Sequence, residues 1–165
     1  MSDSHGLSDE VKLIKERHQH EVDQLIHCGD SELNIDADEL ESFMKVAGNC
    51  DLDSRFPDEL NFSVGELHFF VTHGHLFQVK SNLMPLSYRA DELDANIVCF
   101  GHSHIAGAEL VRNKLFINPG SIRLPRNRKE GTYAILSCEN KTNITVDFFD
   151  IEGNKVSDLT YQTSL

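Results

Sequence analysis

Five short apolar runs in this chain each stop at a glycine- or proline-bearing turn that carries a ligand-type side chain. "LIHCGD" ends in Gly29-Asp30, "KVAGNCD" in Gly48-Asn49, "FFVTHGH" in His73, "IVCFGHSH" in His102 and His104, and "FINPGS" in Asn118-Pro119-Gly120-Ser121. Apolar runs of this length, bounded by turn residues, read as buried strands. In α/β sheets the loops at the carboxyl ends of strands converge on one crevice while the sheet holds them rigid, so such ends are where ligands bind. The pattern therefore constrains the fold and points to a site at once.

The spacing predicts strands over residues 22–28, 43–47, 67–72, 97–100, 115–118, 132–137 and 144–149. Leu7, Val11 and Ile14 recur at helical spacing, with Ser8 as N-cap and Asp9 and Glu10 suited to the positive end of the helix dipole, which predicts a helix over residues 8–21. A second helix is expected over 83–93 with Pro85 near its start, and a shorter one over 37–43. The result is a mixed α/β chain, strands alternating with helices early and strand hairpins late. At 165 residues, with 39% hydrophobic and 25% charged residues, it is expected to form a single domain over 1–165.

The formal net charge of −12 gives nucleic acid and anionic membranes no bulk attraction, so neither is expected as a partner. Any phosphate-bearing substrate needs local cations, and metal ions are a ready source in a chain with nine histidines. Cys28, Cys50, Cys99 and Cys138 form no Cys-x-x-Cys pair. With no apolar run near the length of a membrane span and no signal peptide in view, a cytoplasmic protein with reduced thiols is expected.

If the turns converge, they bring together Asp3, His5, Asp30, Asn49, His73, His102 and His104, a nitrogen and oxygen set without thiolate. Seven groups divide over two divalent ions if one carboxylate bridges, and the mixture suits Mn, Fe, Zn or Ni. Two ions about 3.5–4 Å apart generate hydroxide at neutral pH and clamp both oxygens of an in-line displacement at phosphorus. His18 and His20 in "RHQH" read as surface histidines, and His27 as a strand histidine.

The ordered set "SDSHG", "GDSEL", "GNCD", "THGH", "GHSH" and "NPGS" resembles the calcineurin-like metallophosphoesterase superfamily, and more closely its small YfcE-type phosphodiesterases, over nearly the whole chain. The resemblance implies a four-layer α-β-β-α sandwich of two mixed sheets. It implies that Asp3, His5 and His104 hold one metal, that Asn49, His73 and His102 hold the other, and that Asp30 bridges them. The implied activity is hydrolysis of a small phosphodiester by a metal-bound hydroxide, with manganese as the expected metal and Asp30, Asn49 and His73 as catalytic residues. A phosphomonoesterase, and a retromer-subunit-like scaffold that uses the same fold for protein interaction, are the alternatives. Assembly into a homo-oligomer is left open.

Two departures stand out. Many relatives carry a histidine where this chain has Cys50, and a thiol with a pKa of about 8.5 is a poor general acid, which favours substrates with good leaving groups. The short apolar strand that leads into "SDSHG" in the family has no counterpart ahead of Ser2, so Met1 is read as an internal methionine of a longer chain, and Asp3 and His5 as the ligands with least support. Cys50, His75 and Arg123 are candidate substrate contacts, with Arg126 in the same basic loop; Asn118 and Ser121 are expected to shape the turn beneath the metals.

Overall fold

The computed structural model describes residues 1–165, the side chain of residue 140 apart. In chain order its elements are α1 (Ser8–His18), β1 (Leu25–His27), β2 (Phe43–Lys45), β3 (Glu59–Val64), β4 (Leu67–Thr72), α2 (Met84–Glu92), β5 (Ile97–Cys99), β6 (Gly107–Val111), β7 (Lys114–Asn118), β8 (Thr132–Asn140), β9 (Asn143–Asp150) and β10 (Tyr161–Thr163). Three-residue 3₁₀ turns lie at Asp38–Leu40, His75–Phe77 and Ser157–Leu159.

Five strands form one mixed sheet in the order β3-β4-β5-β7-β6. Its centre, β4, β5 and β7, is parallel, and each edge strand is antiparallel to its neighbour. The central strands alternate between two cores, as a two-residue period requires. Phe69, Val71, Ile97, Cys99, Leu115 and Ile117 face a core shared with Val146 and Phe148 of β9. Phe70, Val98 and Phe116 face the other way, onto Leu86 and Ala90 of α2. Burial on both faces explains why these strands read as unbroken apolar runs.

Opposite lie a parallel pair, β1-β2, and an antiparallel sheet, β8-β9-β10. Val11 and Ile14 of α1 cover their outer side, packing with Leu40, Phe43 and Tyr133. Helix, sheet, sheet and helix make the expected four layers.

Several boundaries differ from the sequence reading. Helix α1 stops at His18, because the carbonyl of that residue accepts from both Glu21 and Val22 N–H groups and closes a turn. Its N-cap position is Leu7 rather than Ser8, with no side-chain cap. The expected helix over 37–43 is a single 3₁₀ turn, since Phe43 already pairs with Leu25. Strands β3, β6 and β10 are absent from the sequence reading: all three are edges and interleave polar or small residues with apolar ones. His18 is no plain surface group, for its ring lies against Tyr133, with Nε2 2.8 Å from the phenol oxygen.

Between β1 and β8 runs a cleft of about 350 Å³, with Met1, Ile26, Phe69, Ile117 and Leu136 among its walls. Met1 is part of its wall: the Met1 ammonium donates to Ile26 O at 2.9 Å, Cys28 N–H to Met1 O, and Asp3 N–H to Gly29 O. These bonds fix the first loop against β1. Burial pulls the Met1 ammonium below its ordinary pKa, the price of desolvating a cation.

His27 sits in β1 as expected of a strand histidine, 1% exposed. Its Nδ1 accepts from Gly29 N–H at 3.2 Å, so the proton is on Nε2, which donates to Ser4 Oγ at 3.0 Å. Burial lowers its pKa to about 3. The unfolded state then binds more protons than the folded one, so stability is present above the unfolded value of 6.5 and is lost as pH falls towards 3. A His27→Asn variant keeps an acceptor for Gly29 and removes the titration. Denaturant unfolding of metal-free protein should show the wild-type curve steeper between these limits, by up to about 1.4 kcal/mol per pH unit for one proton. Parallel curves would refute this role for His27.

Candidate metal centre

The five turns converge because β1 and β2 run parallel, as do β4, β5 and β7, so their carboxyl ends lie on one edge of the sandwich. The loops there adopt unusual backbone conformations. Asp3, His5, Asp30, His102 and His104 all have φ between 44° and 64°. Aspartate and histidine are among the residues that tolerate this region, at about 1–3 kcal/mol each, and clustered strain of this kind marks functional sites. Close approach adds a second constraint. A Cβ on Gly48 would lie 2.0 Å from Asp30 Oδ1, and one on Gly101 2.6 Å from Asp3 Oδ2.

Three imidazoles present the same face to the centre. His73 Nδ1 donates to Cys28 O at 2.8 Å, His104 Nδ1 to Leu124 O at 2.7 Å, and His5 Nδ1 to the Glu32 carboxylate at 2.6 Å. Each acceptor can only receive, so in the neutral ring each Nε2 is a bare lone pair. Those lone pairs meet carboxylates. His104 Nε2 is 3.0 Å from Asp3 Oδ1, His73 Nε2 is 3.3 Å from Asp30 Oδ2 and 3.9 Å from Asp3 Oδ1, and His5 Nε2 is 3.9 Å from Asp3 Oδ1. His5 and His104 even bring their Nε2 atoms within 3.4 Å of each other. Lone pairs crowded in this way repel unless a cation lies among them.

Among the described residues, the buried Asp3 Oδ1 and His73 Nε2 have no partner in hydrogen-bond geometry. Burying unpaired polar atoms is costly, and a metal ion removes that cost. Three sets of donor atoms lie within 4.8 Å of one another: Asp3, His5 and His104; Asp3, Asp30 and His73; and His5, Asp30 and Cys50. Imidazoles that pass their second N–H to a carbonyl or carboxylate are what metal sites commonly use. The residues present fit divalent metal.

Without metal the carboxylates and imidazoles polarise one another. Burial works to raise the Asp3 and Asp30 pKa values, but His104 and His73 outweigh it at Asp3, and His73 with the Cys50 N–H holds Asp30 well below the carboxylate range. Burial opposes a charge on His73, yet Asp30 and Asp3 raise its pKa; Asp3 raises that of His104. His102 goes the other way, to about 4, through burial and then the neighbouring His73. Its ring centroid is 5.1 Å from that of His73.

The other sequence candidates are placed less centrally. Asn49 is exposed and donates its amide N–H to Cys50 Sγ at 3.2 Å. Burial and Asp30 push the Cys50 thiol up to about 11. His75 is half-buried beside His73 and His102, and its Nδ1 lacks a partner among the described residues. The Arg123 guanidinium donates to the His5 carbonyl, which makes it a brace for the first loop. Ser121 Oγ donates to Asp3 O at 2.7 Å, and Asn118 bonds Gly101 O and Ser103 Oγ, so both shape the turn as expected.

Asp51 and Glu32 were missed. Asp51 accepts from Asp30 N–H, Glu32 N–H, Gly48 N–H and Ser31 Oγ–H at 2.7 to 2.9 Å, tying the β1 and β2 loops together. Its place inside "GNCD" was the available signal. An Asp51→Ala variant should keep its circular dichroism and bind Mn²⁺ about 10- to 100-fold more weakly, as loss of such supporting bonds usually does. Unchanged affinity would show the clamp dispensable. Because His73 and His104 have raised pKa values without metal, binding must expel protons, so apparent metal affinity falls as pH drops through those values. Calorimetry in buffers of different ionisation enthalpy near pH 6.5 should detect proton release; none would contradict the raised pKa values.

A family model described as the calcineurin-like phosphoesterase superfamily domain matches residues 1–141. The probable metallophosphoesterase YsnB of Bacillus subtilis (strain 168) is 52% identical over 165 residues, which cover 100% of this chain and 97% of that protein. A conserved uncharacterized protein of Streptococcus pneumoniae, a predicted phosphoesterase, has a crystal structure that superposes with a TM-score of 0.96 at 37% identity, over 100% of this chain and 95% of that one. The phosphoesterase YfcE of E. coli shares the fold at a TM-score of 0.70 and 22% identity, over 99% and 96% of the two chains. Family, fold and donor set agree on metal-dependent phosphoester hydrolysis: the chain belongs to the calcineurin-like phosphoesterase superfamily.

Proposed function

We propose that the protein is a dinuclear metal phosphodiesterase acting on a small phosphodiester, with manganese as its working metal. The observation that carries this reading is the convergence of three tautomer-locked Nε2 atoms on Asp3 and Asp30. Asp3, His5 and His104 would hold one ion and Asn49, His73 and His102 the other, with Asp30 between them. The neighbouring donor sets share Asp3 or Asp30, as two adjacent ions require. When bound, two such ions supply charge stabilisation on phosphoryl oxygens and a nucleophile from water at neutral pH.

The chain's own groups do the rest. Cys28 O, Leu124 O and Glu32 hold the imidazoles in one tautomer, and Asp51 keeps Asp30 in place. Cys50, its thiol protonated at neutral pH, sits where relatives have an imidazole acid. An acid that weak gives little help to a poor leaving group, which favours diesters whose leaving group departs unaided. The half-buried His75, beside His73 and His102, and the exposed Arg123 lie in the same loop cluster, where a substrate can meet them.

Mn²⁺-dependent hydrolysis of bis(p-nitrophenyl) phosphate tests this. Turnover should require metal and fall at least about 10³-fold in Asp30→Asn, as expected when a group stabilising the transition state is removed. Folded, Mn²⁺-loaded protein with no turnover of this diester, or faster turnover of p-nitrophenyl phosphate, would overturn the diesterase reading.

A further inference from the structure

Beside the metal centre lies a cleft of about 670 Å³, within the range of small-ligand sites. It shares two wall residues with the centre, His102 and His104, so the two spaces adjoin. Its floor is apolar: Val79, Phe100 and Phe116, with Leu83 at the side. Its rim carries Lys80, which follows the 3₁₀ turn after β4, and Arg126, from the loop after β7.

Neither cation is neutralised by an acidic neighbour. Arg55, Arg89, Lys114, Arg128 and Lys155 are each paired with a carboxylate. Among the described residues, Lys80 and Arg126 have no carboxylate within 4.0 Å, although the chain has twelve more acidic than basic residues. The backbone fixes Arg126 to the centre, since its N–H donates to His104 O at 3.0 Å. Lys80 lines the same cleft as His102 and His104. Glu109, exposed at the far wall, is the acidic residue of the lining.

We infer that this cleft is a specificity subsite for the arm of the diester that stays on phosphorus, and that it selects an arm with an apolar ring-sized body and a second anionic group. The apolar floor takes the body, and Lys80 and Arg126 take the anion, Arg126 through the bidentate geometry a guanidinium offers phosphate or carboxylate. This rests on the phosphodiesterase reading above and adds a substrate class to it.

Two chromogenic diesters separate the ideas, thymidine 5′-(p-nitrophenyl phosphate) and the same compound bearing a 3′-phosphate. Both release p-nitrophenol, and they differ in the second anion alone. In Mn²⁺-loaded wild-type protein kcat/KM should favour the 3′-phosphorylated diester by about tenfold or more, chiefly through KM. In the Lys80→Ala/Arg126→Ala variant, whose two positions are exposed, that ratio should fall to near one. A wild-type ratio near or below one, or a ratio that survives in the variant, overturns the subsite. If neither diester is turned over, the diesterase reading fails by itself. The cleft is then judged by calorimetric titration with thymidine 3′,5′-bisphosphate: at least about tenfold weaker binding to the variant supports it, and equal binding overturns it.

Discussion

The structure turns on a repulsion left in place. His5, His73 and His104 each have one ring nitrogen committed to an oxygen that can only accept, which turns the other, unprotonated, towards Asp3 and Asp30. Any neighbour able to donate would have relieved this locally. The chain instead supplies Cys28 O, Leu124 O and Glu32, groups that prevent the imidazoles from relaxing. Low dielectric strengthens the effect, because Asp3 and His73 are fully buried. A divalent cation resolves the conflict directly, and protons on His73 and His104 are the poorer substitute.

Such an arrangement survives only on a stiff support. Five site residues sit in a backbone region that most side chains avoid, and Gly48 and Gly101 leave no room for a side chain at all. The strain is carried by strands whose two faces are both packed, β4, β5 and β7, and by the Asp51 clamp that locks the β1 and β2 loops together. Core packing, loop conformation and donor geometry are thus one problem. Loosening Phe70, Val98 or Phe116 beneath α2 would reach the centre through the strand ends they anchor.

Much of this was legible in the sequence. Central strands buried on both faces advertise themselves as apolar runs, and the turns that end them carry the donors in plain order. What was not legible followed from partners that lie far apart in the chain. Edge strands β3 and β6 carry polar or small residues among apolar ones, because one face of each packs on the core and the other meets solvent. Asp51 and Glu32 look like ordinary surface acids until the fold brings Asp51 to Asp30, 21 positions away, and Glu32 to His5, 27 positions away. The brace from the Arg123 guanidinium to the His5 carbonyl joins residues 118 positions apart. The sense of each imidazole, which decides the chemistry, depends on the Cys28 and Leu124 carbonyls and the Glu32 carboxylate, partners 45, 20 and 27 positions away that sequence spacing does not reveal.

The cleft between β1 and β8 has a consequence for the metal centre. The two strands flanking it share no ladder, so β8, β9 and β10 are held to the rest by side-chain packing and by links such as the one from Thr132 to Pro119 O. The metal centre draws its donors from the other side of that divide, so a disturbance of β8, β9 and β10 reaches it through the loop that carries Ser121 and Leu124, whose oxygens hold Asp3 O and His104 Nδ1.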